Sequence, residues 1–148
     1  MHRMVTWTAC LVVLLFAGIV QAQAQLSIRA ASAEPVERWQ RMQVEHSTRV
    51  VWVAPTEVVT GSDIERAQPE VNSQGLTRIV VVFTEAGARK IRDLTIAQSK
   101  KLIALVVDGR VIWAPMVLAE AGKESVLTGN GPNGLTQEEV ERIMAIVR

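Results

Sequence analysis

Apolar positions along the chain switch between two periods, and the switches mark the elements. Near the C-terminal end Val140, Ile143, Met144 and Val147 fall at i, i+3, i+4 and i+7, the stripe of an amphipathic helix. Thr136 and Glu139 stand just ahead of it with the spacing of a capping box. A second helix is predicted over residues 85–98, where Ala88, Ile91, Leu94 and Thr95 repeat at helical spacing and Thr84 stands as N-cap. Elsewhere the period shortens. Residues 79–83 (IVVVF), 102–107 (LIALVV) and 111–118 (VIWAPMVL) predict strands. Residues 49–54 (RVVWVA) predict an earlier strand ended by Pro55, and 125–128 a short late one. Asp108-Gly109 between two apolar runs signals a type I′ hairpin turn, whose two central residues need positive φ. Upstream the pattern is thinner. Residues 25–33 read as a flexible leader. Residues 34–43 read as a short helix, with Pro35 in its first turn and Val36, Trp39 and Met42 on one face. A further short helix is expected over 63–67, and Pro69, Asn72, Ser73 and Gly75 mark a loop.

This order predicts an α+β fold: a mixed or antiparallel sheet with two main helices packed on one face. The pattern carries one tension. A sheet covered on one face should alternate apolar and polar residues. Residues 79–83, 102–107 and 111–118 are instead apolar at nearly every position. Either the segment carrying Trp39 and Met42 covers the second face, or that face stays partly open and binds a partner. Trp113 and Met116 suit an open face, because aromatics and methionine are enriched at interfaces.

Residues 1–24 stand apart from this pattern. His2 and Arg3 precede an apolar run centred on LVVLLF at 11–16, and Ala22-Gln23-Ala24 supplies a small-x-small site. About sixteen apolar or near-apolar residues at ~1.5 Å each reach roughly 24 Å, short of the ~30 Å hydrocarbon core. The segment reads as a secretory signal cleaved after Ala24, with a retained membrane anchor as the alternative. Cys10 lies inside the run rather than at its end, which argues against a lipoprotein site. The expected organisation is a signal peptide at 1–24, a leader and short helix at 25–48, and an α+β domain at 49–148. The protein is expected in the periplasm or secreted, with no membrane span after cleavage.

Composition narrows the chemistry. The formal net charge of +1 falls to zero once Arg3 is removed, which argues against a nucleic-acid binder held by phosphate contacts. Cleavage also removes the single cysteine, so the exported domain relies on its core without disulfides. No Gly-x-Ser-x-Gly elbow occurs, and His46, the one histidine past the signal, reads as a turn or surface residue. Asp63, Asp93 and Asp108 fall in separate elements, at a helix start, on an outer helix face and in a turn. The glycine-rich 129–134 (GNGPNG) lacks the Lys-Ser/Thr ending of a phosphate loop, and Pro132 removes an amide donor. No catalytic, cofactor or metal site emerges, and the chain does not read as an enzyme.

Six segments in order resemble the periplasmic head subdomain of the SecD (SecDF) protein-export membrane protein family, over residues 49–148. They are VVTGSDIERA at 58–67, around Asp63; VVVFTEAGARK at 80–90, with Gly87; Leu94-Thr95; ALVVDGRV at 104–111, with Asp108 and Gly109; Ala114-Pro115; and LTGN at 127–130, with Gly129. The resemblance implies structural roles: Gly87 for close helix packing, Asp108-Gly109 for the hairpin turn, and Pro115 as a strand interruption. Lys100 departs from the family, which often has glycine there, and 131–134 looks like extra loop. No further apolar stretch is long enough to span a membrane, so the family's proton coupling is not implied. What is implied is a free-standing, non-catalytic extracytoplasmic domain without cofactor. It would bind protein partners or unfolded polypeptide in connection with protein export. The alternative is an interaction module that homodimerises, or docks a fixed partner, through its apolar sheet face.

Overall fold

The computed structural model describes residues 24–147, so the predicted signal lies outside the described residues apart from the exposed Ala24. The first strand, β1 (Leu26–Ser32), lies in the middle of a six-stranded sheet. It pairs antiparallel with β7 (Leu102–Val107) on one side and with β3 (Val50–Val53) and β4 (Val59–Thr60) on the other. The expected flexible leader is therefore corrected. Leu26 and Ile28 are buried on one face and Ala31 on the other, and these side chains fix the segment between partners distant in sequence.

The short helix expected over 34–43 is corrected as well. Arg38 takes φ 68°, a left-handed conformation that ends any helix there. Residues Gln40–Gln43 form β2, which pairs antiparallel with β3. Beyond β2, Val44 bridges Val111, and Glu45 N donates to Val111 O at 2.8 Å. Val111 belongs to β8 (Arg110–Trp113), at the far end of the row β2-β3-β1-β7-β8. The row thus curls until its two ends touch, nearly closing a small barrel.

This curl resolves the doubly apolar pattern of β7, while Val80 and Val82 stay partly exposed. Along β7, Leu102, Ala104 and Val106 fill the barrel with Ala31, Val44, Val51, Val53 and Val111, while Met42 packs at its margin. Leu105 and Val107 point the other way, into a larger core with Ile28, Ile79, Val81, Phe83, Ile91 and Ile143. Strand β7 is apolar throughout because each face lines a different core. The open-face alternative fails for β7, and the N-terminal strands provide the cover.

The larger core is closed by a second, antiparallel sheet of β5 (Ile64–Val71), β6 (Thr77–Phe83) and β9 (Glu124–Leu127). The helices α1 (Glu85–Ala97) and α2 (Gln137–Val147) add Ile91, Leu94 and Ile143 to it. The helix expected over 63–67 reduces to a 3-10 turn at Gly61–Asp63, and β5 takes the residues that follow. Pro69 lies within β5 at a position whose N–H would point away from β6, so this edge strand loses no ladder bond. The regular strand expected to Leu118 stops at Trp113. A bulge opposite Leu105 and Val106 leaves Ile112 and Trp113 both packed against the larger core. The α+β class holds, with antiparallel pairing in two sheets rather than one.

Candidate functional site

A strap, residues 114–123, links β8 to β9. Its first part stays beside β7: Ile103 N donates to Pro115 O at 3.1 Å, and Val117 N to Lys101 O at 2.8 Å. Its far end is held by α1, where the Thr95 hydroxyl accepts from Ala121 N at 3.0 Å and donates to Ile91 O at 2.9 Å. Between strap and β9 lies a cleft of about 410 Å³, within the usual size range of ligand pockets. Ile103 forms its floor over the buried Ile28, Phe83 and Ile91, Trp113 and Pro115 to Leu118 form one wall and β9 the other. Met116 is 55% exposed and Leu118 83%, two exposed large apolar side chains on one wall of the cleft.

Of the residues singled out in the sequence, Thr95, Trp113, Pro115 and Met116 meet at this cleft. The others lie elsewhere. Asp63 is buried and accepts from Thr60 N at 3.0 Å and from the Lys90 ammonium at 3.0 Å. Burial pushes its pKa up, but the Thr60 hydrogen bond and the Lys90 charge together outweigh that, and the net shift is downward. Gly87 packs on this turn: a Cβ there would lie 2.4 Å from Asp63 O. Asp108 (φ 50°) and Gly109 (φ 78°) form the β7–β8 turn with the positive dihedrals the sequence demands. Gly129 packs against Leu135 and Glu139.

Some site residues escape sequence reasoning. Leu118, Glu124 and Val126 line the cleft, and only the meeting of strap and β9 brings them there. Glu139 does more than cap. One carboxylate oxygen accepts from Thr136 N at 3.2 Å, as its spacing predicts, and the other meets His46 Nε2 at 2.9 Å. His46, with φ 57°, thereby ties the β2–β3 turn to α2. A separate hollow of about 740 Å³ covers the outer face of the three-stranded sheet, around Val80, Val82 and Val126. Among the described residues no cluster of three His, Cys, Asp or Glu side chains is placed to hold a metal ion. No described helix is long and apolar enough to cross a membrane.

Comparison with known proteins agrees with this architecture. The family model for the SecDF P1 head subdomain matches residues 37–148. The protein translocase subunit SecD of Rhodobacter capsulatus is 37% identical over 73 residues, covering 49% of this chain and 13% of that protein. The protein translocase subunit SecDF of Thermus thermophilus is 30% identical over 92 residues, covering 62% of this chain and 12% of that protein. The chain thus spans a small part of these relatives. Two solved structures share the fold at TM-score 0.63 and 23% identity over 84% of this chain. One is SecDF in a super-membrane-facing form, of which 18% is covered; the other, described as a membrane component that enhances protein export, is covered to 62%. The family match over most of the described fold, together with the fold shared with those structures, makes this chain a member of the SecDF P1 head subdomain family.

Proposed function

We infer that this chain is a non-catalytic, extracytoplasmic domain that holds segments of polypeptide in the cleft between the strap and β9, as part of protein export. The observation that carries the reading is the exposure of Met116 and Leu118 beside Trp113, over an apolar floor. Adjoining exposed apolar side chains beside an apolar cleft mark an interaction site, where singly scattered ones do not. Membership of a family whose curated relatives are protein translocase subunits supports export as the setting. The signal-like residues 1–24 support delivery across the membrane. Nuclear magnetic resonance with an unfolded polypeptide tests the reading. Shifts are expected at the Trp113 indole and along 116–122 and 124–127. An unchanged spectrum at millimolar peptide removes it.

A second reading, self-association, is favoured by the outer face of the three-stranded sheet. There Arg66, Val82 and Glu124 form one cross-strand row, and Gln68, Val80 and Val126 the next. A two-fold axis along β6 sets Arg66 of one copy over Glu124 of the other, and Val80 and Val82 over themselves, the self-complementarity an isologous dimer needs. Sedimentation at rising concentration decides this reading: a dimer that Val80→Glu abolishes supports it, and a strict monomer removes it.

A further inference from the structure

Two sheet edges face each other across the cleft, and neither has a partner. Strand β9 pairs with β6 on one side only. Phe83 N donates to Lys123 O at 2.8 Å, and the register sets Val81 opposite Ser125 and Ile79 opposite Leu127. In an antiparallel ladder this alternation turns the backbone N–H and C=O of Ser125 and Leu127 towards β6. Those of Glu124 and Val126 point away from it and have no backbone partner among the described residues. The opposite wall behaves alike. Pro115 O and the amide and carbonyl of Val117 bond to residues 100–103, so the N–H and C=O of Met116 turn the other way, also without a backbone partner.

Unpaired edges are templates for an added strand. The charges at one end specify more. Beyond Ala121 and Gly122 the cleft adjoins a hollow carrying Arg89, Arg92 and Lys123. Arg89 and Arg92 reach Glu85 and Glu120 only at 3.8 and 3.7 Å, and Lys123 makes no ion pair among the described residues. Glu85 lines the same hollow and Glu120 and Glu124 the cleft, so the arginines are matched and Lys123 is the cation placed to meet an acidic group.

We propose that the cleft takes its polypeptide as an extended strand, hydrogen-bonded to the outward backbone groups of Glu124 and Val126. Alternate side chains of that strand are apolar and rest on the floor, and an acidic residue lies at the Lys123 end. The inference rests on the polypeptide-binding reading and adds its mode and sequence preference. A bound helix would leave both edges unpaired.

The probe is a short blocked peptide that alternates valine with threonine and ends in two aspartates, added to the whole protein. Strand addition slows exchange of the Glu124 and Val126 amides and leaves Ser125, already bonded to β6, little changed. Val126→Pro removes an outward N–H without breaking the ladder and raises Kd by about fivefold to tenfold. Lys123→Gln raises it by about twofold to fivefold. Trp113 shifts with unprotected Glu124 and Val126 amides overturn the strand mode while binding in the cleft stands. No Trp113 shift at millimolar peptide overturns both. Should Val126→Pro fail to fold, the exchange measurement on the unaltered protein decides alone.

Discussion

Gly87 stands where α1 crosses the 3-10 turn at Gly61–Asp63, and the contact leaves no room for a side chain. An alanine Cβ at 2.4 Å from Asp63 O forces the helix away from the turn. Gly87→Ala is expected to destabilise the domain by about 1–3 kcal/mol, although alanine adds ~1 kcal/mol of helix propensity. Gly122→Ala, with open space around it, is expected to stay within about 0.5 kcal/mol, and urea titration of the two variants checks both. Asp63 supplies a pH dependence. Its folded pKa lies below the ordinary 3.8, so the unfolded chain binds the proton more readily. Its stabilisation is fully present above pH 3.8 and is lost as pH falls through the lowered folded value. Urea midpoints measured from neutral pH down to about pH 2 should fall in this window, and Asp63→Asn should flatten that part of the curve. Asp63→Ala, which strands the Thr60 N–H, is expected to cost about 1–3 kcal/mol at neutral pH. The sequence shows Asp63 as a helix-start residue, but its ammonium partner lies 27 positions away and only the fold supplies it.

At the scale of elements, β7 shows where periodicity reaches its limit. Its residues state plainly that both faces are buried, and the pattern alone leaves open what buries them. The cover comes from β1, β2 and β3, upstream segments whose own patterns are weak. Strand β1 carries alanines with little strand preference, and β2 (QRMQ) is mostly polar. If the two cores are separate and both filled, Leu102→Ala in the barrel and Leu105→Ala in the larger core should each cost about 2–5 kcal/mol in chemical denaturation. A loss confined to Leu105→Ala would show the barrel face to be open. Strand β5 is the opposite case. Its Glu, Arg, Ala and Gln favour a helix, and Pro69 reads as a breaker. Pairing with the strongly strand-forming β6 overrides both, because the edge position leaves the proline's missing N–H facing outward. The α2 stripe and its capping box, by contrast, are local, and they stand in the structure where the sequence puts them.

For the whole molecule the decisive strand is the first. The pairing of β1 with β7 joins residues as far apart as Leu26 and Val107, and the six-stranded sheet has no continuous row without it. A chain beginning at Glu37, where the family match starts, is therefore expected to lose the cooperative unfolding of the longer chain, as followed by circular dichroism on heating. Retention of a sharp transition would show that β1 is dispensable. The same scale governs the cleft. Trp113 and Met116 are legible as candidate partner residues because aromatic and sulfur-bearing side chains stand out in an apolar run. Their wall of β9 is not legible, since it is set by how one sheet edge lies against another. The sequence by itself determined the elements whose signals are local: the helical stripes, the Asp108-Gly109 turn, the strands rich in branched residues, and the family resemblance they carry. Tertiary structure alone decided which faces are covered, how the barrel closes and which edges remain free. Those outcomes depend on contacts between distant segments, whose free energy no window of neighbouring residues contains.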